Sequence, residues 1–309
     1  MKRRDFITSG LASAAALATM PVRAEAGEAA DLGTRARAAR RFRLNYAPAF
    51  GQFKAHAGTD LAAQIQFAAD EGFTAMFDNG IMSRPVEQQD LIVRELAKRN
   101  MKLGPFVLYA EFGKKSFVVR DKETRDVILQ KMRDGVETMK RTGCRHALVV
   151  PGRFDESLAW DYQTAIVVEN LRACMEICQP AGLVLVLEPL NPKNHPGLFL
   201  TRIPQAYQIC KAVDSPSCKI VNDIYHQQIT EGNLIPNIEA AWDEIAAFHV
   251  GDNPGRKEPT SGEINYRNVF KWIHDKGYQG VLCMEHGQSK PGLEGERAVI
   301  DAYRACDQF

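Results

Sequence analysis

LVLVLEPLN (183–191), KIVNDIYH (219–226), IAAFHVGD (245–252) and GVLCMEHG (280–287) share one plan: a short, mostly apolar run that ends in an ionisable residue. A continuous apolar run of this length predicts a strand buried on both faces, as in a parallel sheet covered by helices. Upstream, FRLNYAP (42–48), TAMFDNG (74–80), KLGPFVLY (102–109) and HALVVPG (146–152) repeat the pattern. Successive strand centres lie about 34 residues apart, the length of one strand–helix unit, and eight such units fill 42–309. Helical faces fall between the strands. Ile128, Met132, Gly135 and Met139 line up before Gly143, a helix stop, and Leu91, Ile92 and Leu96 run from Pro85 to Asn100. Ile203, Ala206, Ile209, Cys210 and Val213 form a third face, and Val269, Phe270 and Ile273 a fourth. No strand is followed by a GxGxxG or P-loop fingerprint, which disfavours an open doubly wound sheet. The expectation is an α/β fold, a (β/α)₈ TIM barrel in a single domain over 41–309.

The chain of 309 residues is 45% hydrophobic and 25% charged, with 39 basic against 38 acidic side chains. That near-balance argues against a nucleic-acid partner. No apolar run reaches the roughly 20 residues of a membrane-spanning helix. The opening MKRRDFITSGLASAAALATMPVRAEA (1–26) joins adjacent arginines to a mildly apolar stretch and a small-residue exit. This is the form of a twin-arginine signal peptide, so the expected partner is the twin-arginine export machinery and the expected location is periplasmic. Residues 27–40 have the composition of a linker. The seven cysteines include no CxxC pair, and Cys174 and Cys178 sit among Ile166, Leu171, Met175 and Ile177 as small core hydrophobes. Export after folding in a reducing compartment would suit such thiols.

A barrel of this kind places its active site at the C-terminal strand ends. There the last four strands carry Glu188, Asp223, His249 and Glu285. Each alone would pass for a loop carboxylate or a core histidine. Together, three converging carboxylates repel one another unless a divalent cation resolves the charge. Three oxygen donors and one imidazole suit Mn²⁺, Mg²⁺ or Co²⁺, with Zn²⁺ also admitted. Asn45, Tyr46, Asp78, Asn79, Tyr109 and Glu111, at the ends of the first strands, are candidates for a pocket wall or for structural hydrogen bonds. Asn191, Asn194, His195, Lys114 and Lys115 are loop candidates of the same standing.

LEPLN, DIYHQQ followed by EGNL, and DNPGRKEPTSGEINY followed by GYQGVLCMEH resemble segments of the xylose-isomerase-like barrel enzymes, with hydroxypyruvate isomerases the nearest in look. The resemblance implies that Glu188 and Glu285 are the proton-transfer pair and also touch the metal. It implies that Asp223 and His249 complete the metal set, that His226 contacts substrate, and that Arg256 reaches back toward the ligand and a metal-binding glutamate. Glu263 in GEINY is open between a carboxylate that holds the loop over the mouth, the favoured reading, and a surface carboxylate. Histidine at 249 is a departure, because it is the habit of ketose 3-epimerases, where hydroxypyruvate isomerases carry glutamine.

The implied chemistry is an isomerisation of a small hydroxy-carbonyl or sugar substrate through an enediolate, hydroxypyruvate to 2-hydroxy-3-oxopropanoate foremost. An epimerase would use nearly the same machinery. A metal-dependent hydrolase of the endonuclease IV kind would need further ligands and a basic face, and a non-catalytic sugar-binding barrel would not need the glutamate pair. Homo-oligomerisation stays open at this level.

Overall fold

The computed structural model describes residues 41–309, and the signal and linker readings of residues 1–40 fall outside them. In chain order the strands are β1 (Asn45–Ala47), β2 (Ala75–Met76), β3 (Lys102–Leu103, resuming as Phe106–Ala110) and β4 (His146–Val150). Then come β5 (Val184–Leu187), β6 (Cys218–Asp223), β7 (Ile245–Val250) and β8 (Val281–Met284). Pairing is parallel throughout and runs without a break from the second piece of β3 through β8 and on to β1.

Closure on the remaining side is thin. Between β1 and β2 there is a single bridge, Ala49 with Phe77, and a hydrogen bond from the Phe77 N–H to the Pro48 carbonyl at 3.2 Å. Two residue pairs join β2 to the first piece of β3. By regular sheet pairing the barrel is therefore half-closed, a departure from an even eight-stranded ladder. The sequence holds the reason: Pro48 and Pro105 have no N–H to give. Gly104 interrupts β3 where a Cβ would lie 2.8 Å from Phe77 Cβ and 2.9 Å from Cys283 Sγ.

Helices wrap the strands: α1 (Lys54–Ala57), α2 (Leu61–Asp70), α3 (Val86–Lys98), α4 (Lys122–Thr142) and α5 (Trp160–Ala181). They continue as α6 (Ile203–Val213), α7 (Ile224–Thr230), α8 (Leu234–Ala240), α9 (Tyr266–Asp275) and α10 (Gly292–Cys306). In α4 the predicted apolar face is the buried one. Asp121 caps its start by accepting the Thr124 N–H, and Gly143 ends it in the left-handed conformation at φ 72°. The seven cysteines are all free and buried. No helix among the described residues is long and apolar enough to cross a membrane.

What positions the site is strand parity. Ala147, Val149, Leu185, Leu187, Ile220, Phe248, Leu282 and Met284 pack outward into the large core beneath the helices. The alternate residues Leu148, Val150, Val186, Val221 and Ala247 form one separate cluster, and Ala47, Ala75, Phe77, Val281 and Cys283 another, which fill the barrel. Because side chains alternate with period two, Glu188 follows Val186 inward, Asp223 follows Val221, His249 follows Ala247 and Glu285 follows Cys283.

A methyl at position 104 is attached to backbone and cannot swing clear of Phe77 and Cys283. Gly104→Ala should cost about 1–3 kcal/mol, the range for overpacking, read as a lowered urea midpoint.

Candidate metal centre

Glu188, Asp223, His249 and Glu285 each offer one ligand atom, and these four atoms lie within 4.8 Å of one another. His249 is fully buried. Its Nδ1 lies 3.0 Å from Glu188 Oε1, 2.9 Å from Glu285 Oε2 and 4.0 Å from Asp223 Oδ2. Asp223 ends β6 and also caps α7: Oδ1 accepts the His226 N–H at 3.1 Å, which leaves Oδ2 for the mouth. Glu188 is fixed through its backbone N–H to the Val149 carbonyl at 3.1 Å.

A first-row divalent cation sits about 2.0–2.2 Å from N and O ligands, so adjacent ligand atoms around it lie about 3 Å apart. The two short His249 separations match that edge, and the residues fit a cation held by the four side chains. The donor set excludes none of Mn²⁺, Mg²⁺, Co²⁺ or Zn²⁺.

The electrostatics point the same way. Burial pushes the Glu188 carboxyl above its ordinary range. Burial alone would work against a charge on His249, but Glu285 and Glu188 drive its imidazole well above the usual value. Burial would likewise raise Glu285, yet His249 and Arg256 hold it well below. Arg256 Nη2 donates to Asp223 Oδ2 at 2.9 Å and to Glu285 Oε2 at 2.8 Å, so its guanidinium bridges two of the carboxylates. The same guanidinium lies over the Tyr225 ring, 5.1 Å from its centroid.

His226, on the first turn of α7, is 1% exposed. Its Nδ1 faces the Asn191 backbone N–H at 3.2 Å and Asn191 Nδ2 at 2.6 Å. The backbone N–H can only donate, so Nδ1 is the acceptor and the proton sits on Nε2. Nε2 has no hydrogen-bond partner and lies 3.7 Å from Asp223 Oδ2. Burial pushes this imidazole down to about 4, in keeping with the neutral form.

Arg256 is delivered by a loop built around Asp252, which is fully buried. Asp252 Oδ1 accepts the N–H groups of Asn253 and Ile264 at 2.9 and 3.1 Å, and Oδ2 accepts that of Gly262 at 2.9 Å. Glu263 Oε1 accepts from Asn253 Nδ2 at 2.7 Å and from Gln228 Nε2 at 3.2 Å, tying the loop to α7. Of the two readings open for Glu263, these contacts match the loop-holding one.

The other early candidates divide. Tyr46 is buried in the outer core and donates to Asp307, and Asn45 bonds the Gln279 and Gly280 carbonyls, so both are structural. Glu111 caps its own loop through Gly113 and Lys114, and Lys115 pairs with Asp155. Asp78 is engaged by Arg84. Asn79 instead reaches the centre, donating from Nδ2 to Glu285 Oε1 at 2.7 Å. Asn191 supports His226, and the His195 ring lies tilted against it at 5.4 Å between centroids. Asp252 is the residue that sequence reasoning missed. Its one signal was its place just beyond an apolar strand, three residues past His249.

Two outcomes follow. Mn²⁺ at 100 times its Kd should stabilise the protein by about 2.7 kcal/mol, and Asp223→Asn or His249→Ala should erase that shift in thermal melts. Asp252→Ala strands buried N–H groups and should cost at least about 1–3 kcal/mol in chemical denaturation.

A sequence model described as xylose isomerase-like TIM barrel matches residues 65–306. Hydroxypyruvate isomerase of Escherichia coli (strain K12) is 30% identical over 268 residues, covering 85% of this chain and 99% of the relative. A 2-oxo-tetronate isomerase of Pectobacterium atrosepticum is 26% identical over 239 residues, covering 74% and 88%. Among solved structures, the apo form of 3-keto-D-glucoside 4-epimerase from E. coli superposes with a TM-score of 0.70 at 18% identity, over 85% of this chain and all of that one, which speaks for the fold. The chain belongs to the xylose-isomerase-like TIM-barrel family, as a relative of hydroxypyruvate isomerase.

Proposed function

We propose that the protein is a metal-assisted isomerase that interconverts hydroxypyruvate and 2-hydroxy-3-oxopropanoate, or a closely similar small 2-hydroxy carbonyl acid. The observation that carries this reading is the convergence of Glu188, Asp223, His249 and Glu285 within 4.8 Å, with donors from His226 and Arg256 beside them. The E. coli relative of matching length supports the substrate. A divalent cation held by those four side chains would supply the electrophile that stabilises negative charge on the substrate oxygens.

The chain's own residues supply the rest. Glu188 and Glu285 are the acid–base pair: one takes the proton from the hydroxyl-bearing carbon and the proton returns at the former carbonyl carbon, while the hydroxyl proton passes to the former carbonyl oxygen. Glu285 is held ionised between Arg256, His249 and Asn79. His226 Nε2–H, free of any protein acceptor, is placed to donate to a substrate carbonyl or carboxylate oxygen. Arg256 steadies the carboxylates and adds positive charge for an anionic substrate. The Arg-Arg-Asp-Phe stretch at residues 3–6 supports a protein that is exported once folded, and the unpaired cysteines accord with that history.

A ketose 3-epimerase is the second reading, favoured by His249 as the nitrogen ligand position in place of glutamine. Proton NMR in D₂O separates the two. The expected result is formation of 2-hydroxy-3-oxopropanoate from hydroxypyruvate, lost on chelation and restored by Mn²⁺. Deuterium entering a ketose at C3, with hydroxypyruvate untouched, replaces the isomerase by the epimerase. Glu188→Gln and Glu285→Gln should each lower kcat about 10²–10⁴-fold, the usual worth of a positioned acid or base; full turnover in either removes that residue from the chemistry.

A further inference from the structure

Asn79 follows Phe77 on the inward parity of β2, and its carbonyl is pinned by the Val107 N–H at 3.1 Å. Its side chain meets Glu285 Oε1 at 2.7 Å. An ionised carboxylate only accepts, so the amide NH₂ must be the group facing Glu285. The amide oxygen therefore faces away. That Oδ1 is buried and has no hydrogen-bond partner. Buried amide oxygens are rarely left so unless a ligand satisfies them. Asn79 also lines a cavity of about 280 Å³ with Phe50, Phe77, Asp78, Met284 and Glu285.

Three further buried nitrogens in the site lack partners: His249 Nε2 within the four-residue cluster, and two donors, His226 Nε2 and Arg256 Nε. Both donors belong to side chains that approach Asp223 Oδ2. Asn79 Oδ1 and these donors thus form a template with an acceptor beside Glu285 and two donors beside Asp223. A ligand that completes it presents a hydroxyl at the first position and acceptor oxygens, such as those of a carboxylate, at the second.

We propose that Asn79 is a specificity-determining residue, whose Oδ1 receives a substrate hydroxyl while its NH₂ positions Glu285. The assignment rests on the isomerase reading only for the class of ligand, a small hydroxy acid. A site built to bond a hydroxyl discriminates strongly against the analogue that lacks it, because the protein acceptor is then left unpaired.

The test is equilibrium binding by calorimetry to the Mn²⁺-loaded full barrel, with Mn²⁺ loading verified by electron paramagnetic resonance. Glycerate and lactate are the probes: they differ by the C3 hydroxyl, and neither has a ketone to react. Wild type should prefer glycerate by about tenfold or more, and Asn79→Ala should reduce the preference below about twofold. Asn79→Asp keeps an oxygen at the acceptor position and removes the donor to Glu285, so it should retain the preference even where overall affinity falls. A purely structural role for Asn79 would weaken both acids equally in both variants, and that result overturns the proposal. So does an unchanged preference in Asn79→Ala, or a wild-type protein that binds neither acid or both alike. The isomerase reading fails separately: a wild type that prefers glycerate but leaves hydroxypyruvate unchanged removes the reaction and keeps the assignment of Asn79.

Discussion

Three carboxylates aimed at one point are the constraint on which the rest of this structure turns. Glu188, Asp223 and Glu285 close on the Nδ1 of a fully buried histidine, and no sequence would hold them there without positive charge to match. Arg256 provides a permanent share, bridging Asp223 and Glu285 from the loop after β7. Asp252 fixes that loop with three backbone bonds and Glu263 ties it down. A divalent cation would supply the remainder. The acidic and basic parts of the site are thus one electrostatic unit, and neither half makes sense alone.

Much of this was legible in the sequence because strand parity is unforgiving. Once LVLVLE, KIVND, AAFHV and VLCME are recognised as strands buried on both faces, the residues that continue their inward parity have one place to go. Glu188, Asp223, His249 and Glu285 are brought together by that rule, with no help from the loops. The same rule applied to TAMFDNG selects Asn79 over Asp78, and Asp78 duly turns to Arg84. Tyr46 shows the rule from the other side: it faces the outer core, one residue away from the inward Ala47.

What parity could not give lay in the loops and in the hydrogen-bond directions. The role of Asp252 depends on three N–H groups up to twelve residues away converging on it, which no local pattern announces. The tautomer of His226 follows from the Asn191 N–H on the preceding loop, a contact between segments 35 residues apart. The half-closed seam was hidden for a different reason. Pro48, Gly104 and Pro105 each look like ordinary strand punctuation, and only the assembled barrel shows that they fall on the same side.

That seam gives the molecule a division of labour. All four ligand positions stand on β5 through β8, inside the uninterrupted part of the ladder. The wall that includes Phe50, Phe77 and Asn79 stands on the side where β1 and β2 touch at a single bridge. Sequence change on that side can reshape the small cavity while the backbone that carries the four side chains stands elsewhere, with Asn79 the one link between the two. The barrel thus separates the rigid ladder that carries the cluster from the thinly paired wall that shapes the space beside it.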